Sequence, residues 1–277
     1  MRSLLFLRYS LFVLVIGGLF TNFVACGAQM YQVSLKDDTQ LQEDDGSEDP
    51  ASLQYGLHSP HGWSTLPIQF KVDQSLTPEQ KTGLVKAMAT WEMAIGKKLF
   101  VFQGVHNGIS GDSFPDLYSS LGDNVNGHYL DGHWDKTGKP KLVLATTIWE
   151  NTREDAKKIS TADIRFNSNY YLIGNSVTAV SEDAREVVDM QTLAMHELGH
   201  LLGLTHVIAS VDRNSVMSPT VFIGPGLTNR LLSKGDIERV QKIYGCEGTA
   251  CDIDATLAAI NSLQRNQDTV KSAETSH

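Results

Sequence analysis

Apolar and polar positions follow two periods along this chain, which predicts a domain of short strands and long helices. Strict alternation over 68–72 predicts a strand with one buried face. After a Thr77-Pro78 start, apolar residues follow a helical period up to Gly96. This predicts a helix whose buried face is formed by Leu84, Val85, Met88, Trp91 and Ile95.

Further apolar segments extend this pattern towards the carboxyl terminus. The runs 142–147 and 162–166 predict strands, and Ser233 begins a last helix that ends at Gly245. The order of elements indicates an α/β (α+β) domain with a twisted mixed β-sheet and long helices.

The amino terminus carries an apolar run, 11–20, that follows two arginines. This run is shorter than a membrane span of about 20 residues and is typical of a secretory signal core. Phe23-Val24-Ala25-Cys26 resembles a bacterial lipobox, so we expect 1–25 to be a lipoprotein signal peptide and Cys26 to carry the lipid. The alternative is cleavage after Ala28, which would release a freely soluble protein.

A lipid on Cys26 would anchor the exported protein in the bacterial cell envelope. We expect the outer membrane rather than the inner one, with the protein facing the periplasm or the exterior. Residues 26–56 are polar and acidic and predict a flexible tether between the lipid and the folded domain. The patterned elements lie in 57–251, and 252–277 is expected to be a tail that is partly disordered from Thr269 onwards.

The charge of the chain limits its partners. It has 32 Asp and Glu against 23 Lys and Arg, which gives a formal charge of −9. Loss of Arg2 and Arg8 with the signal peptide removes two positive charges and takes −9 to −11. No basic patch remains, so nucleic acid is not an expected partner.

One segment carries the chemistry: His196-Glu197-Leu198-Gly199-His200-Leu201-Leu202-Gly203-Leu204-Thr205-His206. Positions four apart share a helix face, so His196 and His200 can aim a ring nitrogen at one metal ion. Glu197 beside them can act as a general base on a water. Gly203 predicts a left-handed turn that ends the helix and returns His206 as the third ligand. The alternative is a helix whose histidines flank an apolar face without binding metal.

This HExxHxxGxxH segment resembles the motif of the metzincin zinc peptidases. Ser215-Val216-Met217-Ser218-Pro219 is similar to their methionine turn, and the elements within 63–245 resemble the matrixin family in their order. The resemblance implies a metzincin-like catalytic domain with an active-site cleft, one catalytic zinc ion, and Met217 beneath that ion. It also implies a substrate pocket lined by Val221, Phe222 and Ile223.

The chain has only three cysteines, which limits its covalent and regulatory chemistry. Cys246 and Cys251 are expected to form a disulfide, because export exposes them to an oxidising compartment; two unlinked thiols are the alternative. With Cys26 lipidated, no thiolate remains to block the zinc ion. We therefore expect a mature protein that needs no proteolytic activation.

Two weaker features complete the pattern. The polar stretch 127–138 holds His128, Asp131, His133 and Asp135, whose spacing matches no defensible ligand set and predicts a solvated loop. The segment 176–180 predicts an edge strand that pairs with an extended peptide.

The sequence therefore predicts a zinc-dependent endopeptidase that hydrolyses peptide bonds of proteins by a zinc-activated water, with Glu197 as the general base. We expect protein or peptide substrates, membrane contact through the lipid anchor, and a monomer. The alternative is a lipid-anchored surface lipoprotein with a structural zinc site that binds a partner without cleaving it.

Overall fold

The computed structural model of the protein describes residues 31–34, 56–178 and 185–274. Its strands are β1 Tyr31–Ser34, β2 Ile68–Asp73, β3 Phe100–His106, β4 Asn126–Asp131, β5 Ala145–Asn151, β6 Ile159–Asn167, β7 Tyr171–Gly174, β8 Glu186–Asp189 and β9 Thr220–Ile223. Its α-helices are α1 Pro78–Ile95, α2 Met190–Leu201, α3 Lys234–Tyr244 and α4 Ile253–Glu274. None of the helices in this described part is long and apolar enough to cross a membrane.

Five strands form the main sheet in the order β3-β2-β4-β6-β5. The first four in this order run parallel, whereas β5 pairs antiparallel with β6 at the end of the sheet. Two small ribbons accompany it: β7 pairs with β8 in parallel, and β1 pairs antiparallel with β9. The predicted mixed sheet with long helices is confirmed.

Helix α1 has the predicted ends. The Thr77 hydroxyl accepts from the Gln80 N–H at 3.2 Å, and the Gln80 side chain accepts from the Thr77 N–H at 2.8 Å. This capping box satisfies two N–H groups that the first helical turn leaves unpaired. Gly96 ends the helix with φ of 71°, a left-handed conformation that favours glycine.

One apolar core joins the main sheet to α1 and α2. It includes side chains from both helices and from β2 and β6, among them Ile68, Phe70, Leu84, Trp91, Ile164, Phe166, Leu193 and Leu198. Two tryptophans also tie the backbone of α2 in place: the Trp91 ring N–H donates to the Met195 carbonyl at 3.0 Å, and that of Trp63 donates to the Leu201 carbonyl at 2.7 Å. Each buried indole therefore combines apolar packing with a satisfied donor.

The opposite face of the sheet is polar and is covered by the segment that joins β3 to β4. Along β6, Ile164 faces the core while Asp163 and Arg165 face the other way, as strand alternation requires. The fully buried Arg165 guanidinium pairs with Asp131 of β4 and also donates to the carbonyl of Asp116 at 2.6 Å. These contacts hold the segment before β4 against the sheet.

Four segments differ from the sequence predictions. The stretch 127–138 was predicted as a solvated loop, but its first residues belong to β4. His128 points into the domain and stacks on Phe70, with ring centroids 5.2 Å apart. Residues 176–178 form a turn closed by the Thr178 N–H on the Asn175 carbonyl, not an edge strand. The edge strands of the main sheet are β3 and β5.

The chain ends of the domain also differ from expectation. Helix α4 occupies most of 252–277, where a partly disordered tail was predicted, and it extends past Thr269 to Glu274. Its alanines and long straight side chains favour a helix, and its buried Ile260 joins the core. Strand β1 lies within 26–56, which was predicted to be a flexible tether. Its backbone pairs with β9 instead.

Cys246 and Cys251 follow α3 and are joined by a disulfide in the structure. The loop that they close leads from α3 into α4, and the Glu247 N–H within it donates to the Ile95 carbonyl of α1 at 2.9 Å. Helix α1 is thereby linked to the carboxyl-terminal part of the domain.

Burial of Asp163 predicts a specific pH dependence of stability. Loss of solvation is the largest cause that raises its pKa, to about 7. The folded state keeps a proton that the unfolded state loses near pH 4, so this group lowers the free energy of unfolding progressively from pH 4 to about pH 7.

In Asp163→Asn the side chain stays neutral at every pH, so the variant should not lose stability in this way. We expect the difference in free energy of unfolding, variant minus wild type, to increase by about 2 kcal/mol from pH 5 to pH 8, as measured by urea titration. The asparagine oxygen can still accept from the Gly127 N–H, which lies 2.7 Å from the Asp163 side chain. A difference between variant and wild type that does not change with pH would contradict this role.

Candidate active site

Helix α2 positions the first two histidines of the motif. The Asp189 carboxylate caps its start by accepting from the Thr192 N–H at 2.9 Å, and Arg230 donates to the same carboxylate. His196 and His200 lie one turn apart and are buried. The cap, the ion pair and the tryptophan bonds along α2 leave this helix little freedom to shift.

The three motif histidines converge on one point. The Nε2 atoms of His196, His200 and His206 lie 3.1 to 3.2 Å from one another. Three nitrogens at about 2.0 to 2.1 Å from a tetrahedral zinc ion would be separated by about 3.3 Å, so the set fits that metal. Among the residues that the structure describes, they are the only group of three potential ligands at metal-binding distances.

Backbone carbonyls orient two of the rings. The Nδ1 atom of His196 donates to the Val216 carbonyl at 2.7 Å, and that of His200 donates to the Leu204 carbonyl at 2.8 Å. A proton on Nδ1 leaves the lone pair of Nε2 for the metal. Burial also keeps the pKa of His196 well below its usual range, which favours the neutral ring that a metal requires.

A sharp reversal after α2 delivers the third histidine. Gly203 has φ of 103°, and a Cβ there would lie 2.7 Å from the Ser59 carbonyl oxygen. The Gly203 carbonyl accepts from the His58 N–H at 2.9 Å, and the Thr205 N–H donates to the Gly56 carbonyl at 2.8 Å. The segment before β2 thus fixes the turn that places His206.

Met217 lies under α2 in a tightly held loop. It is fully buried, and a Cβ on Gly199 would lie only 2.2 Å from its sulfur. The Asp236 carboxylate of α3 accepts from the Ser215 hydroxyl at 2.6 Å and from the Val216 N–H at 2.9 Å. Because Val216 also accepts from His196, α3 is linked to the histidine cluster through this loop.

Comparison with known proteins agrees with this geometry. Residues 119–245 match the family profile described as Matrixin. The matched region is therefore similar to the matrixin family. Its members are zinc metalloendopeptidases, and the three histidines are the zinc ligands of the matrixin motif.

Several curated relatives show the same likeness. The chain is 30% identical over 151 residues to metalloendoproteinase 2-MMP of Arabidopsis thaliana, covering 54% of this chain and 36% of the relative. It is 26% identical over 207 residues to metalloendoproteinase 1-MMP of the same plant, covering 75% and 47%. Stromelysin-2 of Rattus norvegicus is 36% identical over 77 residues, covering 28% and 15%. The chain thus spans less than half the length of these relatives.

Glu197, the residue predicted to be the general base, has a partner that the sequence did not predict. Glu197 is almost fully buried, and the Thr147 hydroxyl of β5 lies 2.7 Å from its Oε2 atom. The two residues are 50 positions apart, so no local spacing signals the contact. It arises only because β5 is the sheet edge next to α2.

His58 is a second residue without a sequence signal. Its ring stacks on Trp149 with centroids 4.0 Å apart, and its Nε2 donates to the His200 carbonyl at 2.8 Å. Desolvation lowers the pKa of His58 to about 4, so the ring is neutral at neutral pH and can also accept from the Ser59 hydroxyl. His58 therefore supports the end of α2.

The three predicted pocket residues do not share one environment. All lie on β9, where alternation leaves Val221 and Ile223 buried and Phe222 half exposed. Val221 and Phe222 border a cleft of about 1310 Å³ that extends to α3 and α4, whereas Ile223 is not among the lining residues. The zinc ligands do not line this cleft either.

The sequence cluster from His128 to Asp135 is not assembled as a metal site. His128 stacks in the core and Asp131 pairs with Arg165, so these two side chains serve the sheet. The described residues give no ligand group that includes His133 or Asp135.

The close contact between α2 and Met217 gives a testable prediction. Gly199→Ala should lower the free energy of unfolding by about 2 kcal/mol, because the added methyl group must displace the Met217 sulfur. Helix propensity alone would change stability in the opposite direction by about 1 kcal/mol. Urea unfolding of the zinc-loaded protein measures the difference.

Gly122→Ala is the matched control, since a Cβ at that position would meet no atom within 4 Å. Its free energy of unfolding should stay within about 0.5 kcal/mol of wild type. A Gly199→Ala protein as stable as this control would show that Met217 is not closely packed on α2.

Proposed function

We propose that this chain is an endopeptidase that hydrolyses internal peptide bonds of protein substrates. The observation that carries the proposal is the convergence of the Nε2 atoms of His196, His200 and His206 beside Glu197 of the buried helix α2. Three imidazoles leave a fourth tetrahedral position for a reacting group, as in catalytic rather than structural zinc sites.

His196, His200 and His206 would hold a zinc ion, which would lower the pKa of a bound water and polarise the carbonyl of the scissile bond. The residues of the chain carry the proton transfers. Glu197 accepts a proton from the attacking water as its oxygen bonds to the carbonyl carbon. The same carboxyl group then gives the proton to the amide nitrogen, the carbon–nitrogen bond breaks, and the amine departs.

The cleft bordered by β9 supports an apolar specificity. Phe222 presents a half-exposed ring to it, and Val221 and Leu231 add apolar surface. Burial of an apolar substrate side chain against these groups would contribute about 25 cal/mol per Å² of covered surface. We infer that the preferred substrates carry an apolar side chain that binds in this cleft.

The alternative function is a zinc-stabilised binding protein that does not cleave its partner. A structural zinc site is normally closed by four protein ligands, whereas this cluster offers three histidines. Glu197 would then have no proton to transfer, and its replacement by an isosteric amide would leave partner binding unchanged.

Glu197→Gln separates the two functions. The amide cannot accept a proton, so turnover of a peptide library should fall by about 10² to 10⁴ while one zinc ion per chain is retained. Elemental analysis and cleavage mapping by mass spectrometry measure the two quantities on the same preparations.

His200→Ala combined with His206→Ala is the control that should lose both zinc and turnover. Zinc-loaded wild-type protein that cleaves no peptide in the library would favour the binding function. A Glu197→Gln variant with half the wild-type turnover would contradict the proposed role of the carboxylate.

We also propose that the protein is exported and anchored to the bacterial envelope by a lipid on Cys26. The supporting residues are the apolar run and the lipobox-like sequence that ends at this cysteine. Cys26 lies outside the residues that the structure describes. A lipid anchor would restrict the substrates to proteins within reach of the membrane surface.

Cys26→Ser should abolish acyl labelling and release the protein from the membrane fraction, because serine offers no thiol for lipid attachment. The Cys246→Ser, Cys251→Ser double variant is the matched control and should keep its acyl group. Wild-type protein whose mature amino terminus has no acyl mass would contradict the anchor.

A further inference from the structure

An edge strand of the main sheet brings a hydroxyl group to the general base. Thr147 lies on β5, opposite Ile164 of β6, and its side chain is fully buried. Its Oγ1 atom lies 2.7 Å from Oε2 of Glu197 and 3.0 Å from the Glu197 backbone carbonyl oxygen. One residue of the sheet therefore contacts both the side chain and the backbone of the general base.

The hydroxyl has one proton and two acceptors within reach, so it donates mainly to one of them. A hydrogen bond to a carboxylate is roughly twice as strong as one between neutral groups. The Glu197 carbonyl is also an interior carbonyl of α2, where the helix itself provides an N–H donor. The carboxylate is therefore the preferred acceptor of the Thr147 proton.

The mechanical properties of the two side chains differ. Glutamate turns about three side-chain bonds, whereas threonine is branched at Cβ and restricted at χ1. Thr147 is also held by the ladder that joins β5 to β6. The Glu197 carboxylate, which can rotate, is therefore hydrogen-bonded to the Thr147 hydroxyl, which is held in place. A rigid supporting residue of this kind keeps a reacting group in its productive orientation.

We propose that Thr147 is a positioning residue for Glu197 and fixes the carboxylate in the orientation that accepts the proton of water. The inference rests on the proposed peptidase function. Thr147 acts through Glu197 and has no part in binding the substrate. Its loss should therefore reduce kcat and leave KM unchanged.

The test compares three variants of the full-length, zinc-loaded protein. Thr147→Val keeps the shape and removes the hydroxyl, whereas Thr147→Ser keeps the hydroxyl and removes the methyl group. Thr146→Val is the matched control, because it makes the same change at a buried position on the opposite face of β5. A peptide cleaved by wild type serves as the substrate.

Thr147→Val should lower kcat by about 10- to 100-fold, the loss expected for one hydrogen bond to a charged group, with KM within about twofold of wild type. Thr147→Ser should recover kcat to within about threefold of wild type. Thr146→Val should keep the wild-type kcat, and all three variants should retain one zinc ion per chain. If the valine variant fails to fold, Thr147→Ala, which only removes atoms, takes its place in the comparison.

Two results would overturn the proposal. One is a folded Thr147→Val protein with kcat within about twofold of wild type, and the other is a Thr147→Ser protein that loses as much kcat as the valine variant. In both cases wild-type turnover would leave the peptidase function intact. A zinc-loaded wild-type protein without turnover would instead overturn the peptidase function, and the role of Thr147 with it.

Discussion

The structure depends on one requirement: three imidazole lone pairs must meet at a point while the opposite ring nitrogens keep partners of their own. Two of those partners are the carbonyls of Val216 and Leu204, which belong to loops and not to α2. The ligand helix alone therefore does not complete the site. The loop after Gly203 and the loop around Met217 must both be in place before the rings are oriented.

That requirement reaches into distant parts of the chain. Asp236 is fully buried on α3, holds the Met217 loop through Ser215 and Val216, and pairs with Arg239 at 2.6 Å. On the other side, residues 56–59 hold the reversal at Gly203. A buried carboxylate is stable only when such donors surround it, so the charges of α3 and the position of His196 are established together.

The motif could be predicted from the sequence because its parts are local. Helical spacing places His196 beside His200, and a glycine turn returns His206, so eleven residues define the cluster. The Met217 loop and the mixed sheet with long helices could be predicted in the same way, from the pattern and order of the elements. Thr147 and His58 could not be found in this way, because their contacts depend on tertiary approach between elements far apart in the chain.

Two of the predictions that differ from the structure have a common cause. Polarity was taken as a sign of solvent exposure over 127–138 and 26–56, yet His128 is buried against Phe70 and β1 pairs with β9. A polar residue is buried at little cost when partners satisfy it, and those partners are distant in sequence. The expectation that the mature protein needs no activation assumed a tether without contacts, and β1 removes that assumption.

The pairing of β1 with β9 affects how a peptide can bind at this edge. One edge of a strand hydrogen-bonds one neighbour at a time, and four residues of the same chain already occupy this edge of Thr220–Ile223. An extended peptide can pair there only by displacing them. Because β1 belongs to the same chain as β9, its effective concentration at this edge does not change when the protein is diluted. Access to this edge is therefore governed by the concentration of the incoming peptide and is independent of the concentration of the protein.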